Sequence, residues 1–138
     1  MLAVRRGEPG DLAEIRAIQT ASPQAAQWNV EDYLQHDLRI AVLNARVAGF
    51  LVSRTLAPGE SEILNLAVAP EFRRRGLARA LVDALVADAG GAVFLEVRAS
   101  NAVARDFYKS MGFEEVTLRT GYYQDPPESA IVMKFHSC

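Results

Sequence analysis

The stretch from Ile63 to Arg98 constrains the fold more than any other part of the chain. An extended apolar run, Ile63 to Val68, is stopped by Pro70. An arginine-rich turn, Arg73-Arg74-Arg75-Gly76, opens a segment in which Leu77, Ala80, Leu81, Ala84 and Leu85 share one helical stripe. That segment predicts a helix from Leu77 to Ala89, ended by Gly90-Gly91. A second short apolar run, Val93 to Arg98, follows. Strand, helix and strand joined so tightly form a right-handed crossover between parallel strands.

The flanking sequence adds antiparallel pieces. Leu2 to Arg5 reads as a strand, and Asp11 as the N-cap of a helix bearing Leu12, Ile15 and Ile18. Asn29 and Asp32 have capping spacing for a short helix with Tyr33 and Leu34. Leu38 to Leu43 and Val47 to Thr55 are extended runs around an Asn44-Ala45 turn, and Ala57-Pro58-Gly59 is another turn. Ser100-Asn101 caps a helix through Met111 with Gly112 at its stop. Phe113 to Tyr123 and Ile131 to Phe135 close the chain around a polar loop, Gln124 to Ser129. The expected architecture is a single α/β domain over residues 1–138 with a mixed sheet.

The turn before Leu77 is chemically unusual. A helix N-terminus carries unpaired N–H groups and partial positive charge, so cations are disfavoured there and anions are favoured. Three arginines at that place cost stability unless an anion visits, and Gly76 lets an anion approach the backbone closely. Small Ala78 leaves the approach open. A solvated basic helix start is the plainer alternative.

Composition narrows the partners. The chain has 138 residues and a net charge of −2, so the arginine cluster suits a small anion better than a nucleic acid. The one cysteine is Cys138, and His36 and His136 lack ligand spacing, so no metal site is expected. No apolar run reaches the roughly 18 residues of a membrane span, and no signal-like stretch follows Met1. A cytoplasmic protein with no membrane or nucleic-acid partner is expected.

Arg73-x-x-Gly76-x-Ala78 between a strand and an amphipathic helix resembles the acetyl-CoA signature of the GNAT N-acetyltransferases. The resemblance continues through Leu66-Ala67-Val68-Ala69-Pro70, Leu95-Glu96-Val97-Arg98-Ala99-Ser100-Asn101, Tyr108-x-x-x-Gly112-Phe113 and Tyr122-Tyr123. Together these are similar to the RimI-type branch, which acetylates the N-terminal alanine of a small-subunit ribosomal protein. The likeness covers roughly Glu62 to the C-terminus; the first sixty residues agree in layout only.

The resemblance implies a GNAT fold with a splayed parallel strand pair and helices on both faces of the sheet. It implies that Leu66, Ala67 and Val68 pair with the pantetheine arm of acetyl-CoA, the Val68 N–H polarising the thioester carbonyl. It places Arg73, Arg74, Arg75, Gly76, Leu77, Ala78 and Arg79 on the pyrophosphate, and the Asn101 amide on the cofactor. Asn101 also fits a simple helix cap.

The chemistry needs a base to free the amine and an acid for the leaving thiolate. Strand alternation puts Phe94, Glu96 and Arg98 on one face. From the residues alone, Glu96 fits a structural ion pair with Arg98 as well as a base, and Tyr108 fits ordinary packing. The resemblance makes Glu96 the general base, acting through a water, and Tyr108 the general acid.

At the acceptor end the resemblance points to Tyr122, Tyr123 and Trp28. Adjacent strand residues face opposite sides, so one of the two tyrosines is expected to line a peptide groove. Asp125 and Glu128 are candidates to attract a basic peptide. Ser22 to Gln27 and Gly121 depart from the family pattern. Two alternatives stay open: an acetyltransferase for a small-molecule amine, and a catalytically silent acetyl-CoA-binding module. Cys138 lacks a histidine partner, so direct transfer in a ternary complex is expected rather than an acetyl-cysteine.

Overall fold

The computed structural model describes residues 1–124 and 127–136; Asp125 and Cys138 lie outside the described residues. Seven strands and three helices follow in the order β1 (Leu2–Arg6), α1 (Leu12–Thr20), β2 (Asp37–Leu43), β3 (Arg46–Ala57), β4 (Glu60–Val68), α2 (Leu77–Ala89), β5 (Ala92–Arg98), α3 (Ala102–Ser110), β6 (Glu114–Gln124) and β7 (Pro127–His136). Short 3-10 turns occupy Pro9–Asp11, Val30–Gln35 and Pro70–Phe72. The strand order is β1-β2-β3-β4-β5-β7-β6. The sheet is mixed, with β4 and β5 as its parallel pair, as the crossover from Ile63 to Arg98 predicts.

Two compact units make up the chain, Met1–Arg54 with Ile63–Asp88, and Thr55–Glu62 with Ala89–Cys138. In the first, β1 pairs antiparallel with β2 and β2 with β3. Asn44 and Ala45 both take positive φ, 52° and 66°, the geometry that a two-residue hairpin turn needs. β3 is buried from Val47 through Ser53, so it reads as an apolar run rather than an alternation. The core is Ile15 and Ile18 from α1, Tyr33, Leu38, Ile40, Phe50 and Leu51, with Leu77, Leu81, Val82 and Leu85 from α2. Arg39 donates to the Ala84 carbonyl and to Asp88 near the end of α2, a favourable place for a cation.

In the second unit β7 pairs antiparallel with both β5 and β6. Val93, Leu95 and Val97 of β5, Met133 and Ala130 of β7, and Phe113 supply its core. Arg105 clamps α3 by donating to the Ala99 carbonyl and to both oxygens of Glu115. That bond holds the Glu115 carboxyl below the usual carboxylate range.

Several expectations change. The loop expected from Gln124 to Ser129 is mostly strand: β6 runs through Gln124 and β7 starts at Pro127. Pairings such as Tyr123 with Glu128 continue the ladder there, and backbone bonding overrides the polar composition. Likewise β4 begins at Glu60, three residues before its apolar run, where the Ala92 N–H donates to the Gly59 carbonyl. Asp11 does not cap α1 with its side chain; it accepts from the Glu8 N–H and pairs with Arg5. The short helix at Tyr33 is a 3-10 turn, with Asn29 accepting from the Glu31 N–H.

Candidate active site

The predicted residues fall into two groups, one in each unit. In the first unit, Ile63, Asn65 and Ala67 of β4 are buried, while Leu66 and Val68 are half-buried on the opposite face of the strand. Beyond β4, Pro70–Phe72 turns the chain, and Arg73 is extended, with φ −68° and ψ 156°. Arg74 then has φ 64° and Gly76 φ 79°. A positive φ is ordinary for glycine but costs an arginine about 1 kcal/mol or more, and such strain collects at ligand-holding turns. A Cβ on Gly76 would meet nothing within 4 Å, so the backbone there is open to an approaching group. The Gly76 carbonyl accepts from the Ala80 N–H at 3.0 Å and starts the helix. Gly76 has no side chain with which to cap the first turn of α2.

The four arginines of this region are not equivalent. Arg73, Arg74, Arg75 and Arg79 are all exposed. The Arg73 guanidinium, however, donates to the Val68 carbonyl and to Ser22 Oγ, tying the end of β4 to the segment after α1. Arg75 lies over the Phe72 ring, with Cζ 5.9 Å from its centroid.

That segment, Ser22 to Trp28, is held by a buried polar network that sequence reading missed. Asn65 Nδ2 donates to the Ala26 carbonyl at 2.9 Å and to Tyr33 Oη at 3.0 Å, and Oδ1 accepts from the Ala26 N–H at 3.2 Å. Tyr33 Oη donates to Gln19 Oε1, and Gln19 Nε2 donates to the Trp28 carbonyl at 2.6 Å. Burial pushes the Tyr33 hydroxyl up, while its bond with Asn65 lowers it. Trp28 itself is 48% exposed, so the network fixes its backbone and leaves the indole accessible. The only hint in the sequence is one asparagine inside an otherwise apolar strand, Ile63 to Val68.

In the second unit Glu96 sits on β5, half-buried, on the face that it shares with Phe94 and Arg98. Its partner is not Arg98. Glu96 Oε1 accepts from Arg119 Nη1 at 2.7 Å, while Arg98 pairs with Glu128 at 3.3 Å. Glu96 Oε2 is buried and accepts no hydrogen bond among the described residues. Glu128 also accepts from the Ser100 N–H at 2.6 Å, and its hydrogen bonds with Ser100 lower its carboxyl.

Tyr122 and Tyr123 depart from simple alternation. Gly121 takes φ 67°, and the register with β7 shifts between Arg119 and Tyr123. The two rings meet edge to face at 5.1 Å. Burial raises both hydroxyls, and the Glu96 charge raises them further. Tyr122 lies against Arg119 and Tyr123 against Arg98, two arginines that share one sheet face, where alternation predicts one tyrosine on that face.

Tyr108 is 7% exposed, its ring packed edge-on against Phe107 and Phe113. Burial raises its hydroxyl well above the ordinary value, so the proton stays on at neutral pH. Asn101 acts as the helix cap, its Oδ1 accepting from the Ala104 N–H at 3.1 Å. That bond uses the oxygen and not the NH2 of the amide. Among the described residues no group of three or more His, Cys, Asp or Glu could hold a metal, and no helix is long and apolar enough to cross a membrane.

The strand–turn–helix with its open glycine, carried on a seven-stranded mixed sheet, gives a domain whose helix start is accessible to an anion. The chain matches the acetyltransferase (GNAT) family over residues 11–113, and it belongs to that family. It is 38% identical over 109 residues to the ribosomal protein bS18-alanine N-acetyltransferase of Escherichia coli K12, covering 75% of this chain and 71% of that one. The crystal structure of the ribosomal-protein-S18-alanine N-acetyltransferase from Escherichia coli matches with a TM-score of 0.84 at 30% identity, over 99% of this chain and 94% of that one. Ard1 from Thermoplasma volcanium matches with a TM-score of 0.89 at 28% identity, over 99% and 98%.

Proposed function

We propose that this N-acetyltransferase moves acetyl from acetyl-CoA to the N-terminal α-amine of a protein that begins with alanine, and that its acceptor is a small-subunit ribosomal protein in the cytoplasm. The observation that carries the chemistry is Glu96, a half-buried carboxylate with one oxygen on Arg119 and the other without a partner among the described residues. The likeness to the Escherichia coli enzyme supports the choice of acceptor.

On this reading residues 1–138 act as one domain. Leu66, Ala67 and Val68 bind the pantetheine arm, and the Val68 N–H polarises the thioester carbonyl. The turn from Arg73 to Arg79 takes the pyrophosphate. The open backbone at Gly76 and the strained φ of Arg74 support this, and Arg73 contributes by fixing the end of β4. Asn101 offers the amide group that its capping bond does not use. The neutral amine attacks the carbonyl carbon as Glu96 takes a proton from its nitrogen through a water, the C–S bond breaks, and Tyr108 protonates the departing thiolate. Trp28, Tyr122 and Tyr123 bind the peptide.

Two outcomes test this. Synthetic peptides with a free N-terminal alanine should gain one acetyl group at the α-amine, read by mass. Acceptance of small amines with no such peptide turned over would overturn the acceptor assignment. The Gly76→Val variant should raise the KM for acetyl-CoA about tenfold or more, because a β-branched residue at φ 79° is strained by about 1–2 kcal/mol or more and the turn must shift. Its acceptor KM should change little. An unchanged acetyl-CoA KM would take the turn out of the cofactor site.

A further inference from the structure

Glu96 presents an accounting problem. A buried acceptor left without a donor costs free energy, and native proteins keep few of them. Glu96 nevertheless holds Oε2 buried and, among the described residues, without a donor, while Oε1 accepts from Arg119. Something must prevent the carboxylate from turning.

Sheet register identifies it. Arg98 on β5, Ala130 on β7 and Arg119 on β6 are directly paired across three strands, so their side chains share one face. Glu96 is on that face, opposite Val132. Ala130 is fully buried and contributes only a methyl group, so the long Arg119 side chain can cross β7 above it. The Arg119 guanidinium is seated on the Tyr122 ring, with Cζ 4.3 Å from the centroid. The positive φ of Gly121 and the local register shift bring that ring round. Arg98, two residues from Glu96 and on the same face, is directed elsewhere: it pairs with Glu128 and lies over Tyr123 with Cζ 4.1 Å from the centroid. The charges are thus sorted into two pairs, each backed by one tyrosine.

We propose that Arg119 is the positioning residue for the base: it holds Glu96 Oε1, so that Oε2 is the atom that receives the proton of the acceptor amine. The donor that Oε2 lacks is supplied by the water that relays this proton. One N–H bond breaks as the N–C bond forms, the proton ends on Oε2, and the electron pair of the C–S bond leaves with sulfur. Tyr122 serves as the platform that keeps the guanidinium in register. The proposal rests on reading Glu96 as the general base.

The test compares Arg119→Met, Arg119→Ala and Arg119→Lys with Glu96→Gln, using the full chain, acetyl-CoA and an alanine-first peptide. Arg119→Met should lower kcat about 10- to 100-fold, the loss expected when a reacting group drifts by about an ångström. Its KM for acetyl-CoA should stay within about twofold, because the cofactor contacts are untouched. Arg119→Lys should recover part of kcat. Added guanidinium should partly rescue Arg119→Ala and should not rescue Glu96→Gln. The double variant Glu96→Gln/Arg119→Met should be no slower than Glu96→Gln, since the two residues act as one unit. If Arg119→Met and Arg119→Ala keep wild-type kcat while Glu96→Gln loses it, the positioning role is overturned and the base stands. If Glu96→Gln keeps wild-type kcat, the base reading fails first. A full kcat loss in Arg119→Ala that guanidinium does not restore, with a lowered melting temperature, assigns the arginine to folding alone and also overturns the proposal.

Discussion

Replacing Glu96 with glutamine should lower kcat by about 100-fold or more, the range expected when a general base is lost. The substitution is nearly isosteric. The amide oxygen can still accept from Arg119, so the strand and its neighbour keep their geometry. What disappears is the capacity to hold a proton. Stability should change little, because Arg119 is about half exposed and such pairs contribute roughly 0–1 kcal/mol. Acetyl-CoA binding should persist, since the turn from Arg73 to Arg79 and the strand residues Leu66 to Val68 are untouched. The measurement is steady-state acetylation of an alanine-first peptide, paired with direct titration of acetyl-CoA. A variant that binds the cofactor and turns over at the wild-type rate would remove Glu96 from the mechanism.

A different kind of loss is expected from Asn65→Leu. Leucine has a similar volume and suits a strand, so the sequence alone makes this change look harmless or even favourable. Asn65 is 6% exposed and serves the Ala26 N–H, the Ala26 carbonyl, Tyr33 Oη and the Leu66 N–H. Leucine would take a partner from the part-buried Ala26 N–H and carbonyl and Leu66 N–H, and would leave buried Tyr33 Oη with Gln19. At about 1–3 kcal/mol for each unsatisfied group, a total of about 2–4 kcal/mol is expected after partial relaxation. For a domain of this size that corresponds to a fall in Tm of about 10 °C. The segment from Ser22 to Trp28 loses its tie to β4 as well, so the KM for the peptide acceptor should rise along with the loss of stability. A melting curve that does not shift would mean that the network contributes nothing net.

These two residues show where sequence reading succeeds and where it stops. Glu96 stands out because a carboxylate inside Val93-Phe94-Leu95-Glu96-Val97 is costly, and alternation correctly assigns it the face of Phe94 and Arg98. Its partner did not follow from the sequence. The nearest cation in sequence is Arg98, yet Arg119 reaches it from 23 residues away across an intervening strand. Asn65 gives a weaker signal, because an asparagine in a strand has no fixed partner until Gln19, Tyr33 and Ala26 are brought to it. Tyr122 and Tyr123 needed the structure for another reason: alternation holds only while φ stays extended, and Gly121 breaks it. The polar loop expected from Gln124 to Ser129 fails because ladder pairing can hold polar residues in strands.

The chain's own order settles the strand–turn–helix at Ile63 to Ala89, the parallel crossover to Arg98 and the glycine at the turn. Each is local: periodicity, stops and backbone freedom are written within a few residues of where they act. Tertiary structure alone decides that Arg73 is spent on Val68 and Ser22, that Arg119 rather than Arg98 holds Glu96, and that Asn65 anchors the segment before Trp28. Those choices depend on which strands become neighbours and in what register, and a side chain's charge or polarity carries no address until the sheet has formed.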